Sequence, residues 1–369
     1  MVTSILPAYL VLTLGVSPAI FGLLDGLHQG GASLARLVSG VATDRFRRYR
    51  ELAVSGYLAS ALSRAVLLFS GSYAPGLAAS TLIDRLGKGI RTAPRDALIS
   101  LSAPPEGLGV AFGVHRTLDT IGATLGPIVA LAVLWFTRQD YRSVIVASFA
   151  IGLVGAAIPL AFIRNPRRSV HDDDPSFEHP LRHSAALRRL VIVAGALGAL
   201  TIADSMVYLV LQRRIGFPSS YMPALFVATP AVYALLAVPC GRLADRFGRG
   251  VLLIAGHMGL LALYAILLMP TLSLITGSLC IVLLGAYYAA TDGVLPALAS
   301  AALTERSRAT GLSLVGTALD LGRMAASMLF GLLWTTMNVE WAVGGFAAGL
   351  TIVLAAAAPV LLRASVRTQ

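Results

Sequence analysis

Gly40-Val-Ala-Thr-Asp44-Arg45-Phe46-Arg47-Arg48 returns 201 positions later as Gly241-Arg-Leu-Ala-Asp245-Arg246-Phe247-Gly248-Arg249. We call these two segments the first and the second cassette. Each follows a long apolar run and precedes another, so each is predicted to be a short basic loop between two membrane-spanning helices. Their similarity predicts a chain built from two related halves.

The composition of the chain is that of a membrane protein. Its 369 residues are 56% hydrophobic and 13% charged, with a mean hydropathy of +0.78, which is too apolar for a soluble domain. We predict an all-α integral membrane protein with twelve transmembrane helices in two six-helix halves, 1–163 and 190–369, joined by a polar cytoplasmic linker, 164–189. The predicted spans, numbered 1 to 12, are 1–15, 18–42, 51–70, 75–98, 107–136, 143–163, 187–212, 219–243, 250–269, 272–300, 306–336 and 340–363.

The net charge of +11 is distributed unevenly between the two sides of the predicted membrane. The side that carries the cassettes holds 17 Lys and Arg residues, and the other side holds four. The positive-inside rule explains this excess without a nucleic-acid partner and places the cassettes and both ends of the full-length protein in the cytoplasm. The predicted location is the plasma or inner membrane of a bacterium, with multiple spans.

The internal repeat extends beyond the cassettes. Thr117 and Gly122 of span 5 match Thr317 and Gly322 of span 11 at an offset of 200. The same alignment places Met1 opposite a residue deep inside span 7, so about fifteen residues of span 1 are expected to be absent, because a span needs about 20 residues. We interpret span 1 as truncated at its N-terminal side, and a mis-assigned start codon is favoured over a truncated gene.

The cassettes resemble the signature G-x-x-x-D-R-x-G-R-[KR] of the major facilitator superfamily of secondary transporters, although Arg47 stands where that signature has glycine. The resemblance implies a fold of two six-helix halves and alternating access. It also implies that Asp44 faces the start of span 11, near 306–309, and that Asp245 faces the start of span 5, near 107–110, closing the cytoplasmic side. The gating residues it implies are Gly40, Asp44, Arg45, Arg48, Gly241, Asp245, Arg246, Gly248 and Arg249.

Charged residues inside the spans are candidates for a substrate or proton pathway, because burying a charge in a bilayer is costly. In span 4, Arg85-x-x-x-Gly89-x-x-x-Ala93 resembles a motif of proton-coupled drug exporters, in which the arginine faces the central cavity. We expect Arg91 to form an ion pair with Asp119. The candidate pathway residues are Asp25, Arg36, Arg85, Lys88, Arg91, His115 and Asp119.

Several charged residues keep two interpretations. Asp25 either binds the coupling proton or forms an ion pair within the bundle, and it is the alternative to Asp119 as the proton site. Arg95 and Asp96 either take part in transport or only anchor the cytoplasmic end of span 4. Asp320 and Arg323 are expected to form a local ion pair.

Span 5 also contains a packing motif. Gly122-x-x-x-Gly126-Pro127 resembles the antiporter motif G-x-x-x-G-P-x-x-G-G, with Ala130 in place of a glycine. Small residues at this spacing predict the close approach of a neighbouring helix.

The leading functional hypothesis is a proton-coupled exporter, that is, an antiporter, of a small organic solute. Uptake or exchange of an organic anion is the alternative, favoured by the positive charge of span 4. An enzyme is disfavoured because the chain has no H-E-x-x-H, G-x-S-x-G or P-loop motif, and a sensor because no segment is long enough for an output domain. The expected partners are a small-molecule substrate, protons and the lipid bilayer. We expect a monomer with no cofactor.

A metal site is not predicted. Cys240 and Cys280 lie in different spans without metal-ligand spacing. The acidic run 172–174, close to three histidines, is interpreted as part of a solvated linker.

Overall fold

The computed structural model describes residues 17–70, 74–138, 140–165, 184–218 and 221–366, together with Val11 and Leu181. This part of the chain is almost entirely α-helical and contains no β-strand. Its fourteen helices are α1 (Pro18–Gly30), α2 (Ser33–Phe46), α3 (Tyr49–Ser70), α4 (Ala74–Ser102), α5 (Leu108–Phe136), α6 (Tyr141–Phe162), α7 (Ala185–Gly198), α8 (Asp204–Ile215), α9 (Met222–Phe247), α10 (Arg249–Leu267), α11 (Leu274–Thr291), α12 (Val294–Ala301), α13 (Arg308–Thr336) and α14 (Val339–Val366).

Spans 2 to 12 each coincide with one helix or with two consecutive helices. Span 2 is α1 and α2, span 7 is α7 and α8, and span 10 is α11 and α12, so three predicted continuous helices are interrupted. By length and composition, seven helical segments of the described chain can cross a membrane. Of the other spans, 2 and 7 are divided into shorter helices, while 4 and 11 carry several charged residues.

Two predictions concern residues that the structure does not describe. Span 1 lies outside the described part except for Val11, and so does the acidic run of the linker. At the end of the linker, α7 begins at Ala185, within the stretch predicted to be linker. The Ser184 side chain caps this helix by accepting a hydrogen bond from the Leu187 N–H at 3.1 Å.

Two long contacts join the first half of the chain to the second. In the first, α1 and α2 pack against α13, and we call this contact the α2–α13 interface. In the second, α5 packs against α9, and we call it the α5–α9 interface. Both cassettes lie at the same end of the helices, which we call the cassette end, because α2 and α9 finish where α13 and α5 begin.

Candidate functional site

In the second cassette, an aspartate at the end of α9 contacts the start of α5. The Asp245 carboxylate accepts hydrogen bonds from the N–H groups of Gly109 and Val110, each at 2.9 Å. These N–H groups belong to the first turn of α5, where they have no partner within the helix and the helix dipole favours a negative charge. Arg249, only 4% exposed, pairs with Asp245 at 2.9 Å and donates to the carbonyl oxygens of Pro105 and Ala297.

The first cassette repeats this contact at the α2–α13 interface. The Asp44 carboxylate accepts from the N–H groups of Ala309 at 3.1 Å and Thr310 at 2.6 Å. Its other contact is the Tyr49 hydroxyl at 3.4 Å. Arg48, the repeat equivalent of Arg249, is exposed, so the carboxylate of the first cassette lacks the buried arginine that the second one has.

The glycines of the cassettes allow the two interfaces to close. A Cβ atom on Gly241 would overlap the Gly109 carbonyl, and one on Gly40 would lie 2.9 Å from the Ala309 carbonyl oxygen. Gly248 ends α9 with φ of 101°. Arg47, which stands where the superfamily signature has glycine, adopts the left-handed conformation with φ of 55°, which costs a residue with a side chain free energy.

Three arginines of the cassettes lie away from these contacts. Arg45, Arg48 and Arg246 are exposed, and neither cassette carboxylate is their partner within the described chain. The Arg246 guanidinium instead lies over the Phe247 ring, 5.2 Å from its centroid.

A cavity of about 330 Å³ lies between the two halves. It is at the lower end of the size range of small-molecule sites. Helices α2, α4, α5, α12 and α13 contribute most of its wall, and none of the lining residues is aromatic. The lining residues are Ala32, Arg36, Arg85, Lys88, Arg91, Thr92, Ala93, Arg95, Asp96, Arg116, Asp119, Asp292, Leu295, Pro296, Leu312, Val315, Gly316, Leu319, Asp320 and Arg323.

The wall of the cavity is strongly basic. Seven lining residues are cationic and four are aspartates, so the formal charge is seven minus four, or +3. Three of the cations form ion pairs with lining aspartates: Arg36–Asp320 at 2.8 Å, Arg95–Asp96 at 3.0 Å and Arg323–Asp292 at 3.0 Å. The Arg36–Asp320 pair joins α2 to α13 and therefore connects the two halves across the cavity.

The remaining charged groups of the wall do not cancel. Arg85, Lys88, Arg116 and Asp119 have no hydrogen bond or ion pair within the described chain, and Lys88 and Asp119 are exposed to the cavity. The expected ion pair between Arg91 and Asp119 is wrong. The Arg91 guanidinium lies 4.7 Å from the centroid of the Tyr57 ring, because α3 supplies an aromatic face at this position.

The expected local pair between Asp320 and Arg323 is also wrong. Asp320 and Arg323 do not pair locally, because each faces a different helix and pairs there with Arg36 and Asp292, respectively. Asp25 lies outside the cavity wall and accepts hydrogen bonds from the hydroxyls of Ser205 at 3.1 Å and Ser327 at 2.8 Å.

His115 likewise lies outside the cavity wall. It is half-buried, and its Nε2 atom has no hydrogen-bond partner in the described chain.

The expected packing against the span 5 motif stays a prediction, because the described part of the chain does not include the helix that would contact it. A Cβ atom on Gly122 or Gly126 would meet no described atom within 4 Å. In the second half, Gly322 packs closely against Gly195 and Ala199 of span 7. The repeat equivalent of span 7 is span 1, which lies outside the described residues, as does the side chain of Pro127.

Four charged residues of the described cavity wall were not selected as candidates from the sequence: Arg116, Asp292, Asp320 and Arg323. For Arg95 and Asp96, the sequence alone allows either a functional or an anchoring role. Arg116 was detectable, because it lies inside span 5, three residues before Asp119, where a charge is costly. The partners of Asp292 and Asp320 come from other helices, so the order of residues along the chain does not reveal them.

Comparisons with known proteins give a consistent result. The sequence profile of the Major Facilitator Superfamily matches residues 1–327. An uncharacterised MFS-type transporter of Methanocaldococcus jannaschii is 31% identical over 342 residues, which are 90% of this chain and 84% of that protein. The multidrug resistance protein MdtH of Aeromonas hydrophila is 24% identical over 263 residues, which are 68% and 64%, respectively. The human organic anion transporter MFSD10 has a similar fold, with a TM-score of 0.77 at 15% identity, covering 92% of this chain and 83% of that one.

Proposed function

Because the chain belongs to the Major Facilitator Superfamily of membrane transporters, we propose that it carries a small organic anion across the bilayer together with a proton, by alternating access. The observation that supports this proposal is the charge of the cavity, +3 over twenty lining residues. A cationic substrate would meet net repulsion there, and a bulky apolar one would find no aromatic side chain to contact.

The two cassette contacts suggest how access alternates. Asp44 and Asp245 each hold the first turn of a helix from the opposite half, so separating the halves at the cassette end breaks both contacts. The distribution of basic residues supports a cytoplasmic position for this end. In this arrangement the cavity is closed from the cytoplasm.

Asp119 is the residue we propose for proton coupling. It is an exposed carboxylate of the cavity wall and has no ion pair among the described residues. When ionised, its charge competes with an anionic substrate for Arg85, Lys88 and Arg116. Protonation removes that competition, so the proton and the anion favour each other's binding and travel in the same direction.

The sequence favoured export, whereas the charge of the cavity favours symport of an anion with a proton. Proton-coupled export of an organic solute by antiport remains the second candidate, favoured by the antiporter-like motif of span 5 and by the likeness to MdtH. Antiport requires that binding of the proton and binding of the substrate disfavour each other, for example by competition for one site. Competition of that kind suits a cationic substrate, which the charge of this cavity disfavours.

Transport by the purified protein in proteoliposomes tests the proposal. We expect lactate, succinate or glycerol 3-phosphate to accumulate inside vesicles with an alkaline lumen, choline not to accumulate, and a protonophore to abolish accumulation. Asp119→Asn should retain downhill exchange of the anion but lose its accumulation, whereas Asp140→Asn, an exposed helix cap outside the cavity, should behave as the parent does.

The outcomes separate the candidates. Accumulation of a cation in vesicles with an acidic lumen would favour export and contradict the anion proposal. Full proton-driven accumulation in Asp119→Asn would contradict coupling at this residue and make Asp25 the next carboxylate to test.

A further inference from the structure

The unpaired charges of the cavity allow a narrower statement about the substrate, which rests on the proposed function. We propose that the preferred substrate carries two negative charges, as a dicarboxylate or a phosphate monoester does. Four charged residues of the cavity wall form no ion pair in the described chain. Three are cations, Arg85, Lys88 and Arg116, and the fourth is the aspartate Asp119. Two of the three lie on adjacent turns of α4, and the third lies on α5.

The charge balance favours a dianion over a monoanion. The three ion pairs of the wall are neutral, so its charge of +3 comes from Arg85, Lys88, Arg91 and Arg116 against Asp119. An unpaired charge inside a membrane protein is costly. With Asp119 protonated, as proposed for co-transport, these four cations give +4, so a monoanion would leave a charge of +3 in this cavity, whereas a dianion would leave +2.

The hydrogen-bond donors of the wall support the same class. Four lining arginines, Arg36, Arg91, Arg116 and Arg323, each have a buried Nε–H without an acceptor in the described chain. These Nε atoms have almost no accessible surface, so a ligand in the cavity would have to bind the arginines through their terminal NH2 groups. Carboxylate and phosphate oxygens suit guanidinium groups well, because they accept two parallel hydrogen bonds. A dianion offers more such oxygens than a monocarboxylate.

The size of the cavity limits the rest of the molecule. Its volume of about 330 Å³ suits a compact metabolite rather than a drug-sized ligand. Its apolar lining consists of small or aliphatic residues, such as Ala93 and Leu319, which suit a short carbon chain.

Matched ligand pairs test the number of charges. The thermal unfolding midpoint of the purified full chain is measured with succinate against its monoamide, succinamate, and with methyl phosphate against dimethyl phosphate. Each pair is similar in size and differs by one negative charge. We expect at least one dianion to bind ten or more times as tightly as its monoanionic counterpart, since a ligand stabilises according to its concentration relative to its Kd.

A change of pH provides a second readout. The second proton of a phosphate monoester leaves near pH 6. The affinity of methyl phosphate relative to dimethyl phosphate should therefore rise from pH 5 to pH 7, because only methyl phosphate gains a charge over that range. Comparing the two ligands cancels any effect of pH on the protein alone.

Variants locate the site. Arg85→Gln and Lys88→Gln should each lower the affinity for the dianion about tenfold and reduce the ratio of its affinity to that of the monoanion. Arg213→Gln is the control, because its guanidinium lies 5.3 Å from the centroid of the Trp334 ring, outside the cavity wall. Equal effects of Arg213→Gln and Arg85→Gln would place the binding elsewhere and contradict the proposal.

The remaining outcomes are distinct. A preference for succinate or for methyl phosphate alone would support the proposal and identify the dianion as a dicarboxylate or a phosphate. Monoanions that bind and accumulate as well as dianions would overturn the dianion proposal and leave anion transport intact. Failure of every anion to bind or accumulate would overturn both.

Discussion

The two interfaces between the halves are alike at the cassette end and differ further along the helices. In each, an aspartate accepts two backbone hydrogen bonds, and two turns further along the helix a threonine hydroxyl donates to a carbonyl of the facing helix: Thr117 to Ala234 at 3.2 Å and Thr317 to Ser33 at 3.1 Å. Beyond this point the α2–α13 interface stays in contact as far as Ala19, whose N–H donates to the Thr335 hydroxyl at 2.9 Å.

This difference separates what the repeat duplicates from what it does not. The cassette contacts occur at both interfaces, as expected for groups that act together when the cassette end opens. The Arg36–Asp320 ion pair occurs at one interface only, since its repeat-equivalent positions are Ala237 and Thr120. This ion pair therefore adds a contact to the α2–α13 interface that the α5–α9 interface lacks.

The largest expected effect comes from the buried arginine of the second cassette. Asp245→Asn leaves Arg249 buried without a counter-ion, which we expect to cost about 3 kcal/mol. Asp44→Asn weakens two hydrogen bonds to a charged group and leaves no buried cation, at about 1.5 kcal/mol. Opening of the cassette end should therefore rise on the order of 100-fold in the first variant and about tenfold in the second.

Cysteine labelling at the interfaces measures this opening. Ser313→Cys and Ala237→Cys, at positions 1% and 3% exposed, report on the α2–α13 and α5–α9 interfaces, respectively, after Cys240 and Cys280 are replaced by alanine. Asp140→Asn serves as the control for loss of a carboxylate elsewhere. Equal labelling in the Asp44 and Asp245 variants would show that Arg249 makes no difference to the closed state.

A smaller effect is expected from glycines away from the cassettes. A Cβ atom on Gly22 would overlap the Ser327 carbonyl and lie 3.2 Å from the Cα of Gly331, whereas one on Gly122 would meet no described atom within 4 Å. Gly22→Ala should therefore destabilise the protein by about 1–3 kcal/mol through overpacking. Gly122→Ala gains the same helix propensity without the clash, so it should match or exceed the parent.

Thermal unfolding of the two purified variants is the measurement, since both carry the same glycine-to-alanine substitution inside a helix. If both variants lose the same stability, the close contact of α1 with α13 is not what distinguishes the interfaces.

The fold was predictable because its signals repeat along the chain. Apolar spans and duplicated cassettes indicated two helical halves, and span boundaries such as that of α5 agree with the structure to within a few residues. The interruptions of spans 2, 7 and 10 were missed, because Gly31, Ala199 and Asp292 lie within apolar stretches where composition alone favours a continuous helix.

The site was less predictable, for a physical reason. Sequence identifies charged residues in costly positions, such as Arg85 and Lys88, but ion pairs depend on which helices meet. Arg91 had two possible neighbours, Asp119 on α5 and Tyr57 on α3, and only the packing of α3 decides between them. The cost of losing Asp245 was likewise predictable only as a surface effect of about 0.3–1 kcal/mol, because the burial of Arg249 is a tertiary property.

The smallest effect is expected from two threonine variants, which test whether the two interfaces open together. Thr117→Val and Thr317→Val each remove one hydrogen bond between the halves, at about 0.5–1.5 kcal/mol, and Thr317, at 6% exposed, should cost more than the half-buried Thr117. If the halves move as rigid bodies, either variant raises labelling at both Ser313→Cys and Ala237→Cys. The effects then multiply in the double variant, because the sites are distant and share one opening equilibrium. If each variant raises labelling only at its own interface, the two contacts open independently, and a shared gate at the cassette end is excluded.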